Sequence, residues 1–99
     1  MDQPNAIIHQ PIRLKIMAAL KALHESEMLE FVRLKAIVGA TEGNLGAHIT
    51  TLEETGYVRV EKDFAGKRPR TRVMLTKDGR RAFDDYVADL RAIIDGGTS

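Results

Sequence analysis

The chain has 99 residues and a net charge of +1, with 43% hydrophobic and 29% charged residues. These proportions are typical of a folded, soluble globular domain and exclude a disordered chain. Because the sequence contains no cysteine, it excludes disulfides, thiolate catalysis, zinc ribbons and iron–sulfur clusters.

The length and the start of the sequence suggest an overall organisation. No apolar run approaches the roughly 18 to 20 residues of a membrane span, and the first residues lack the pattern of a signal peptide. We therefore expect a cytoplasmic protein with a single domain over residues 1–99. Its core should cover about residues 7–95, and residues 96–99 should form a flexible tail.

The positive charge is concentrated in one segment. There are nine basic and three acidic residues between Arg59 and Arg81, whereas the segment from Glu42 to Glu54 has three acidic residues and no basic one. A concentrated basic segment is the electrostatic footprint of a site for a polyanion. A solvated charged loop has the same composition, so charge alone leaves both interpretations open.

Helical periodicity predicts three helices in the first half of the chain. The first begins at Pro11 and ends near His24. The second ends at Gly39, and its apolar face consists of Phe31, Leu34, Ile37 and Val38. The third can be capped by the hydroxyl of Thr41 and ends at Gly56. Two helices joined by about three residues, with a glycine in the turn, form a helix-turn-helix unit.

A hairpin and a long helix are predicted after the third helix. Apolar and charged residues alternate at 57–61 and 71–75, which predicts two strands with one buried face. Residues 63–70 contain Gly66 and Pro69 and are predicted as the hairpin loop. Thr76 can cap the last helix. The predicted fold is therefore α+β and mainly α: a winged helix-turn-helix with a three-helix core, a β-hairpin wing and a long C-terminal helix.

The third helix is the candidate for contact with the major groove of DNA, where the second helix of a helix-turn-helix lies. Its core-facing positions are Leu45, Ile49 and Leu52, and the positions left for DNA are Thr41, Glu42, Gly43, Asn44, Gly46, Ala47, His48, Thr50 and Thr51. Asn44 can pair with adenine and Glu42 with cytosine. Alternatively, Asn44 completes the helix cap, Glu42 complements the helix dipole, and His48 is half-buried against the first helix.

Attraction to phosphates must come from outside this helix, because it contains no Arg or Lys. The predicted wing supplies four cations at Lys67, Arg68, Arg70 and Arg72. Further candidates for backbone contact are Arg33 and Lys35 on the second helix and Lys77, Arg80 and Arg81 on the last one. Ordinary solvated charge explains this second set nearly as well.

The last helix has a long apolar stripe that predicts a homodimer with twofold symmetry. The stripe and the apolar residues near the start of the chain give the candidate interface Ile7, Ile8, Phe83, Tyr86, Val87, Leu90, Ile93 and Ile94. The alternative is that the stripe folds back onto the first helix. A dimer would place two recognition helices about one DNA turn apart, on a pseudo-palindromic operator.

Three segments resemble the small single-domain winged helix-turn-helix regulators of the MarR and ArsR types. Residues 45–58 (LGAHITTLEETGYV) are similar to their recognition helix and first strand, residues 70–82 (RTRVMLTKDGRRA) to their return strand and final helix, and residues 11–17 (PIRLKIM) to their first helix. The resemblance covers about residues 7–90. It implies a homodimeric DNA-binding transcriptional regulator whose interface is built from terminal helices, and repression is the commoner mode in such families.

Two departures from those families matter. Ala47 occupies a position that is often basic in relatives, and the cysteines and histidine clusters of metal-sensing members are absent. The sequence therefore predicts no metal site and no cofactor, and it identifies no small-molecule effector.

Other classes of protein fit the sequence less well. An enzyme is not predicted, because the two serines, Ser26 and Ser99, lie in weakly patterned segments and the three histidines lack ligand spacing. The stronger alternative is a winged helix that binds protein or RNA, which the lack of basic residues in the third helix slightly favours.

Overall fold

The computed structural model of the protein describes residues 5–96, which form four helices and three strands. Their bounds are α1 Pro11–Lys21, β1 Leu29–Glu30, α2 Phe31–Val38, α3 Glu42–Thr55, β2 Val58–Ala65, β3 Arg68–Leu75 and α4 Lys77–Gly96. The predicted α+β winged helix-turn-helix fold is confirmed. The single domain with a flexible tail at residues 96–99 stays a prediction: α4 ends at Gly96, and residues 97–99 lie outside the described residues.

The predicted caps set the helix boundaries. The Thr41 hydroxyl accepts a hydrogen bond from the backbone N–H of Asn44 at 3.2 Å, which satisfies a free donor in the first turn of α3. The Thr76 hydroxyl accepts from the N–H of Gly79 at 2.9 Å at the start of α4. Gly39 ends α2 in the left-handed conformation, so that α2 and α3 meet across a short turn.

The wing differs from its prediction. Residues 63–70, expected to form a loop, continue both strands, and Ala65 pairs with Arg68 around the two-residue turn Gly66–Lys67. Gly66 has a φ of 67°, which suits a type II′ hairpin turn. Pro69 is tolerated in β3 because β1 does not pair with that part of the strand.

The sheet has a third strand that periodicity does not reveal. The two-residue β1 pairs antiparallel with β3, with Leu29 opposite Val73 and Glu30 opposite Arg72, and the strand order is β1-β3-β2. A strand of two residues is too short to show an alternating pattern. It ties the start of α2 to the wing and so fixes the wing relative to the helix-turn-helix.

The core joins the helices to the base of the wing. Its fully or nearly fully buried side chains are Ile8, Ile16, Met17, Leu20, Leu34, Val38, Leu45, Ile49, Leu52, Val58, Val73, Leu75 and Tyr86. The three predicted core positions of α3 are among them. Ile37 was expected on the buried face of α2 but is 52% exposed, because Leu34 and Val38 alone fill the contact of this short helix with the core.

Gly79 lies where the first turn of α4 touches the backbone of Tyr57, just before β2 begins. A Cβ atom at this position would overlap the backbone carbonyl of Tyr57, which also accepts a hydrogen bond from Thr76. We expect Gly79→Ala to lower the free energy of unfolding by about 3 kcal/mol, because backbone cannot give way as a side chain can.

Gly46→Ala is the matched control for Gly79→Ala. An added Cβ at Gly46 meets nothing within 4 Å, and alanine is favoured inside a helix by about 0.5 to 1 kcal/mol. Urea unfolding should therefore show changes of opposite sign. Equal stabilities for the two variants would contradict the close contact at Gly79.

Candidate nucleic-acid interface

Helix α3 presents a polar face to solvent. Its exposed positions, together with the cap, are Thr41, Glu42, Gly43, Asn44, Ala47 and Thr50, whereas Gly46, His48 and Thr51 are partly buried. The three apolar positions of the helix point into the core, so the predicted division between its two faces is observed. The Thr51 hydroxyl donates to the backbone carbonyl of Ala47 at 3.2 Å and is thereby occupied within the helix.

The structure separates the alternatives for Asn44, whereas Glu42 fits both of its alternatives. Only the backbone N–H of Asn44 takes part in the cap, while its exposed side chain makes no hydrogen bond within residues 5–96. The Asn44 amide is therefore available to a partner. Glu42 lies in the first turn of α3, where a carboxylate complements the helix dipole, and it also lines the groove beside the wing.

His48 is half-buried against α1, as the second interpretation expected. Its Nδ1 lies 3.2 Å from the Nη1 of Arg13, whose Nε donates to the carbonyl of Ile7 at 2.6 Å. A guanidinium can only donate, so Nδ1 accepts and the proton resides on Nε2. Burial, and then the charge of Arg13, lower the pKa of His48 below its ordinary value of 6.5. The imidazole is thus held neutral, with one N–H left to donate.

The lowered pKa predicts a pH-dependent stability. The unfolded chain takes up a proton at His48 more readily than the folded one, so the contribution is complete above about pH 6.5 and is lost as the pH falls below it. We expect His48→Gln to lose less stability than the wild type between roughly pH 7.5 and pH 5.5. Thermal unfolding across this range measures the difference. The control Thr50→Gln, at an exposed position of the same helix that does not titrate, should retain the wild-type profile.

The wing tip carries two exposed cations. Lys67 in the turn and Arg68 at the start of β3 have no carboxylate within ion-pair distance in the described part of the chain. Lys62, which was not among the predicted wing cations, is likewise exposed and has no carboxylate partner among residues 5–96. These three side chains are available to phosphates.

Arg70 and Arg72 differ from the prediction of four free wing cations. Arg70 makes a bidentate ion pair with Asp63, with its Nε and Nη2 at 2.9 and 2.8 Å from the two carboxylate oxygens. Arg72 lies 3.0 Å from Asp63 and 3.6 Å from Glu61. The cause is register, since Asp63 stands directly opposite Arg70 and Glu61 opposite Arg72. Both arginines thus stiffen the hairpin.

The ion pairs also affect titration of the wing. The hydrogen bond from Arg70 is the main cause that lowers the pKa of Asp63, and the charges of Arg70 and Arg72 add to it. The carboxylate therefore stays ionised at neutral pH, and Arg70 and Arg72 stay held to the hairpin.

Two open grooves connect α3 with the wing. One is bordered by Glu42, Gly46, Thr50 and Glu53 of α3 on one side and by strand residues, Val60, Lys62 and Thr71, on the other. The second joins Glu42 and the start of α2 to Arg68 and Pro69 of the wing. The exposed face of α3 and the wing therefore lie on the same side of the molecule.

The further candidate cations lie on α2 and α4. Arg33 on α2 is exposed and Lys35 is half-buried, and neither has a carboxylate partner within residues 5–96. Lys77 and Arg81 are exposed on α4, while Arg80 donates to the carbonyl of Leu23 at 3.4 Å. None of these five cations lines either groove between α3 and the strands.

The candidate dimer surface is smaller than the sequence predicted. Ile8 is completely buried within the chain, and Tyr86 is 2% exposed with its hydroxyl 2.8 Å from Nδ1 of His9. These two side chains belong to the core and cannot form an interface. Ile93 and Ile94 are 44% and 77% exposed near the end of α4. The remaining members, Ile7, Phe83, Val87 and Leu90, are partly buried.

Within residues 5–96, no three His, Asp or Glu side chains are grouped as metal ligands would be. In the same part of the chain, none of the helices combines the length and the apolar character that crossing a membrane requires.

The family is decided by a match that covers most of the sequence. Residues 12–94 match the family model described as a winged helix DNA-binding domain. The chain belongs to this winged-helix family. The match includes the helix-turn-helix, the wing and nearly all of α4, so every part of the candidate interface lies within it.

This winged-helix protein is similar to others along most of its length. It is 37% identical over 84 residues to protein MJ0432 of Methanocaldococcus jannaschii, which covers 85% of this chain and 88% of the relative. Its fold is similar to that of the transcriptional regulator homologue protein from Pyrococcus horikoshii OT3, with a TM-score of 0.82 and 36% identity over 91% of this chain and 86% of the other.

A MarR-family regulator is a more distant structural relative. The transcriptional regulator of the MarR family from Silicibacter pomeroyi has a TM-score of 0.70 and 27% identity, with 91% of this chain and 57% of the other covered. The winged-helix protein thus spans little more than half of that regulator. These similarities confirm the resemblance to winged-helix transcriptional regulators of the MarR type.

Proposed function

We propose that this protein is a cytoplasmic transcriptional repressor that binds a specific site in double-stranded DNA as a homodimer. The exposed face of α3 enters the major groove, and the wing tip contacts the backbone and the adjacent minor groove. The observation that supports this most directly is the common position of both elements, since the same grooves are bordered by α3 and by the wing.

Sequence specificity depends on uncharged and acidic groups in this proposal. Helix α3 has no Lys or Arg, so the frequent bidentate contact of arginine with guanine is not available to it. The Asn44 amide suits adenine, and the Nε2–H of His48 suits an acceptor such as guanine O6. The cations Lys67 and Arg68, with Arg33 and Lys35 of α2 as further candidates, supply the attraction to phosphates.

Dimerisation is proposed through the apolar side of α4. The C-terminal turns of this helix, residues 91–96, are exposed throughout, although they include two isoleucines. Two apolar helix ends packed around a twofold axis would cover that surface. A dimer then places two α3 helices on successive turns of a pseudo-palindromic operator. Repression is proposed because it is the commoner mode among the regulators that this chain resembles.

The proposed function is tested by selection of bound duplexes from a random pool. We expect enrichment of one site with twofold symmetry and half-sites about one helical turn apart. Enrichment of single sites without symmetry would refute the dimer. Absence of any enriched duplex would refute sequence-specific DNA binding.

An RNA- or protein-binding module is the second candidate function. The observation that favours a protein partner is the net negative charge of α3, which carries Glu42, Glu53 and Glu54 without a cation and attracts neither DNA nor RNA. A parallel selection from random RNA distinguishes the two. Enrichment of RNA alone would replace the DNA proposal.

A further inference from the structure

Phe64 is a large apolar side chain that the chain leaves uncovered. It is 67% exposed in the outer half of β2. Side chains alternate between the two faces of a strand, so Phe64 shares its face with Val60 and Lys62, which border the groove beside α3. It therefore projects on the side of the recognition helix, whereas Asp63 belongs to the opposite, ion-paired face.

Pro69 stands directly opposite Phe64 in β3. The two-residue turn makes Ala65 and Arg68 the closing pair, so Phe64 and Pro69 are the next pair along, without mutual hydrogen bonds and with close side chains. Pro69 is exposed as well, and it lines the groove that contains Glu42. We call these two residues the wing pad.

The surroundings of the wing pad indicate what covers it. Lys62 shares the face of Phe64, Lys67 lies in the turn, and Arg68 lies opposite Ala65 on the other face. None of these three exposed cations has a carboxylate partner in the described part of the chain. The centre of a protein–protein interface is depleted of charged residues, above all lysine. An apolar side chain among cations instead suits the wall of a DNA groove, where deoxyribose carbons lie between phosphates.

We propose that the wing pad packs against the deoxyribose and base-edge surface of the minor groove, between the phosphates that Lys67 and Arg68 contact. This inference rests on the proposed function. The wing pad adds an apolar contribution to the binding free energy that releases no counterions. It also fixes how deeply the wing tip enters the groove. Phe64 is thus assigned to the interface beside the cations that the sequence predicted.

The test compares Phe64→Ala with Arg68→Ala in the full chain. Affinity for the duplex selected from the random pool is measured by fluorescence anisotropy across a salt series. For Phe64→Ala we expect a loss of roughly ten- to a hundredfold with an unchanged slope of log affinity against log salt, because no phosphate contact is lost. Arg68→Ala should lose affinity and also flatten the slope by about 1 for each wing. Phe64→Leu should retain most of the affinity.

The other outcomes would overturn either the role of the wing pad or the proposed function. Wild-type affinity in Phe64→Ala, with a loss in Arg68→Ala, would overturn the wing pad and leave the proposed function intact. A flattened slope in Phe64→Ala would overturn it too, because the contact would then act through phosphates. A change in sedimentation of Phe64→Ala would assign the residue to a protein interface. Failure of the wild type to bind any duplex would overturn the proposed function itself.

Discussion

Replacement of both Lys67 and Arg68 by alanine is expected to weaken duplex binding by roughly 10³- to 10⁴-fold at about 0.1 M salt. The proposed homodimer has two wings, so the double variant removes four phosphate contacts. Each contact contributes roughly tenfold to the affinity under these conditions. The slope of log affinity against log salt should fall by about 3 to 4. Fluorescence anisotropy across a salt series measures both quantities.

The matched control for the wing variant removes two cations elsewhere. Lys15 and Arg81 are exposed on α1 and α4, have no carboxylate partner within the described residues, and line neither groove beside α3. The double replacement Lys15→Ala and Arg81→Ala changes the net charge equally and should leave the slope nearly intact. Equal losses in the two double variants would assign the effect to net charge and contradict a specific role for the wing tip.

Introduction of aspartate at both Ile93 and Ile94 is expected to separate the proposed dimer. These side chains are exposed at the end of α4, so the change should not disturb the core of the protomer. Four buried charges in a dimer interface would prevent association. We expect sedimentation of a monomer, and a loss of roughly 10²- to 10⁴-fold in affinity for a two-half-site duplex, because each α3 must then bind alone.

Ile37→Asp provides the control for the dimer variant. Ile37 is 52% exposed on α2 and is therefore an exposed isoleucine outside the proposed interface. This variant should sediment as the wild type does. Persistence of the dimer in the double aspartate variant would show that the interface lies elsewhere on the molecule.

Much of the fold could be predicted from local chemistry. The caps at Thr41 and Thr76 and the glycine at the end of α2 are determined by adjacent backbone groups, and the structure confirms each of them. The apolar spacing of α3 likewise determined which of its faces is buried, and hence which face is free for a partner.

The wing shows what local signals did not provide. Gly66 and Pro69 suggested a loop, whereas cross-strand pairing extends both strands up to a two-residue turn. A signal was present, because Asp63 and Arg70 carry opposite charges at equal distances from Gly66–Lys67. This pairing would have predicted both the register and the capture of Arg70, and it would have placed Phe64 on a strand rather than in a loop.

Burial of the predicted dimer residues required tertiary information. Ile8 lies outside any helix, and its burial depends on how the chain before α1 packs on the core. Tyr86 belongs to the same apolar stripe of α4 as Ile93, but only the N-terminal part of that helix lies against the body of the protein. Periodicity identifies a stripe and does not show where along the helix its cover ends.

The outer face of α3 and the tip of the wing are proposed to hold the same stretch of duplex. Because the sequence contains no cysteine, single cysteines can carry a tethered iron–EDTA group that cleaves nearby DNA. Ala47→Cys on α3 should cleave within each selected half-site, Lys67→Cys should cleave immediately beside it, and Lys15→Cys on α1 should leave the duplex intact. Cleavage from Lys15→Cys, with none from Ala47→Cys and Lys67→Cys, would show that α3 and the wing tip do not lie on the duplex.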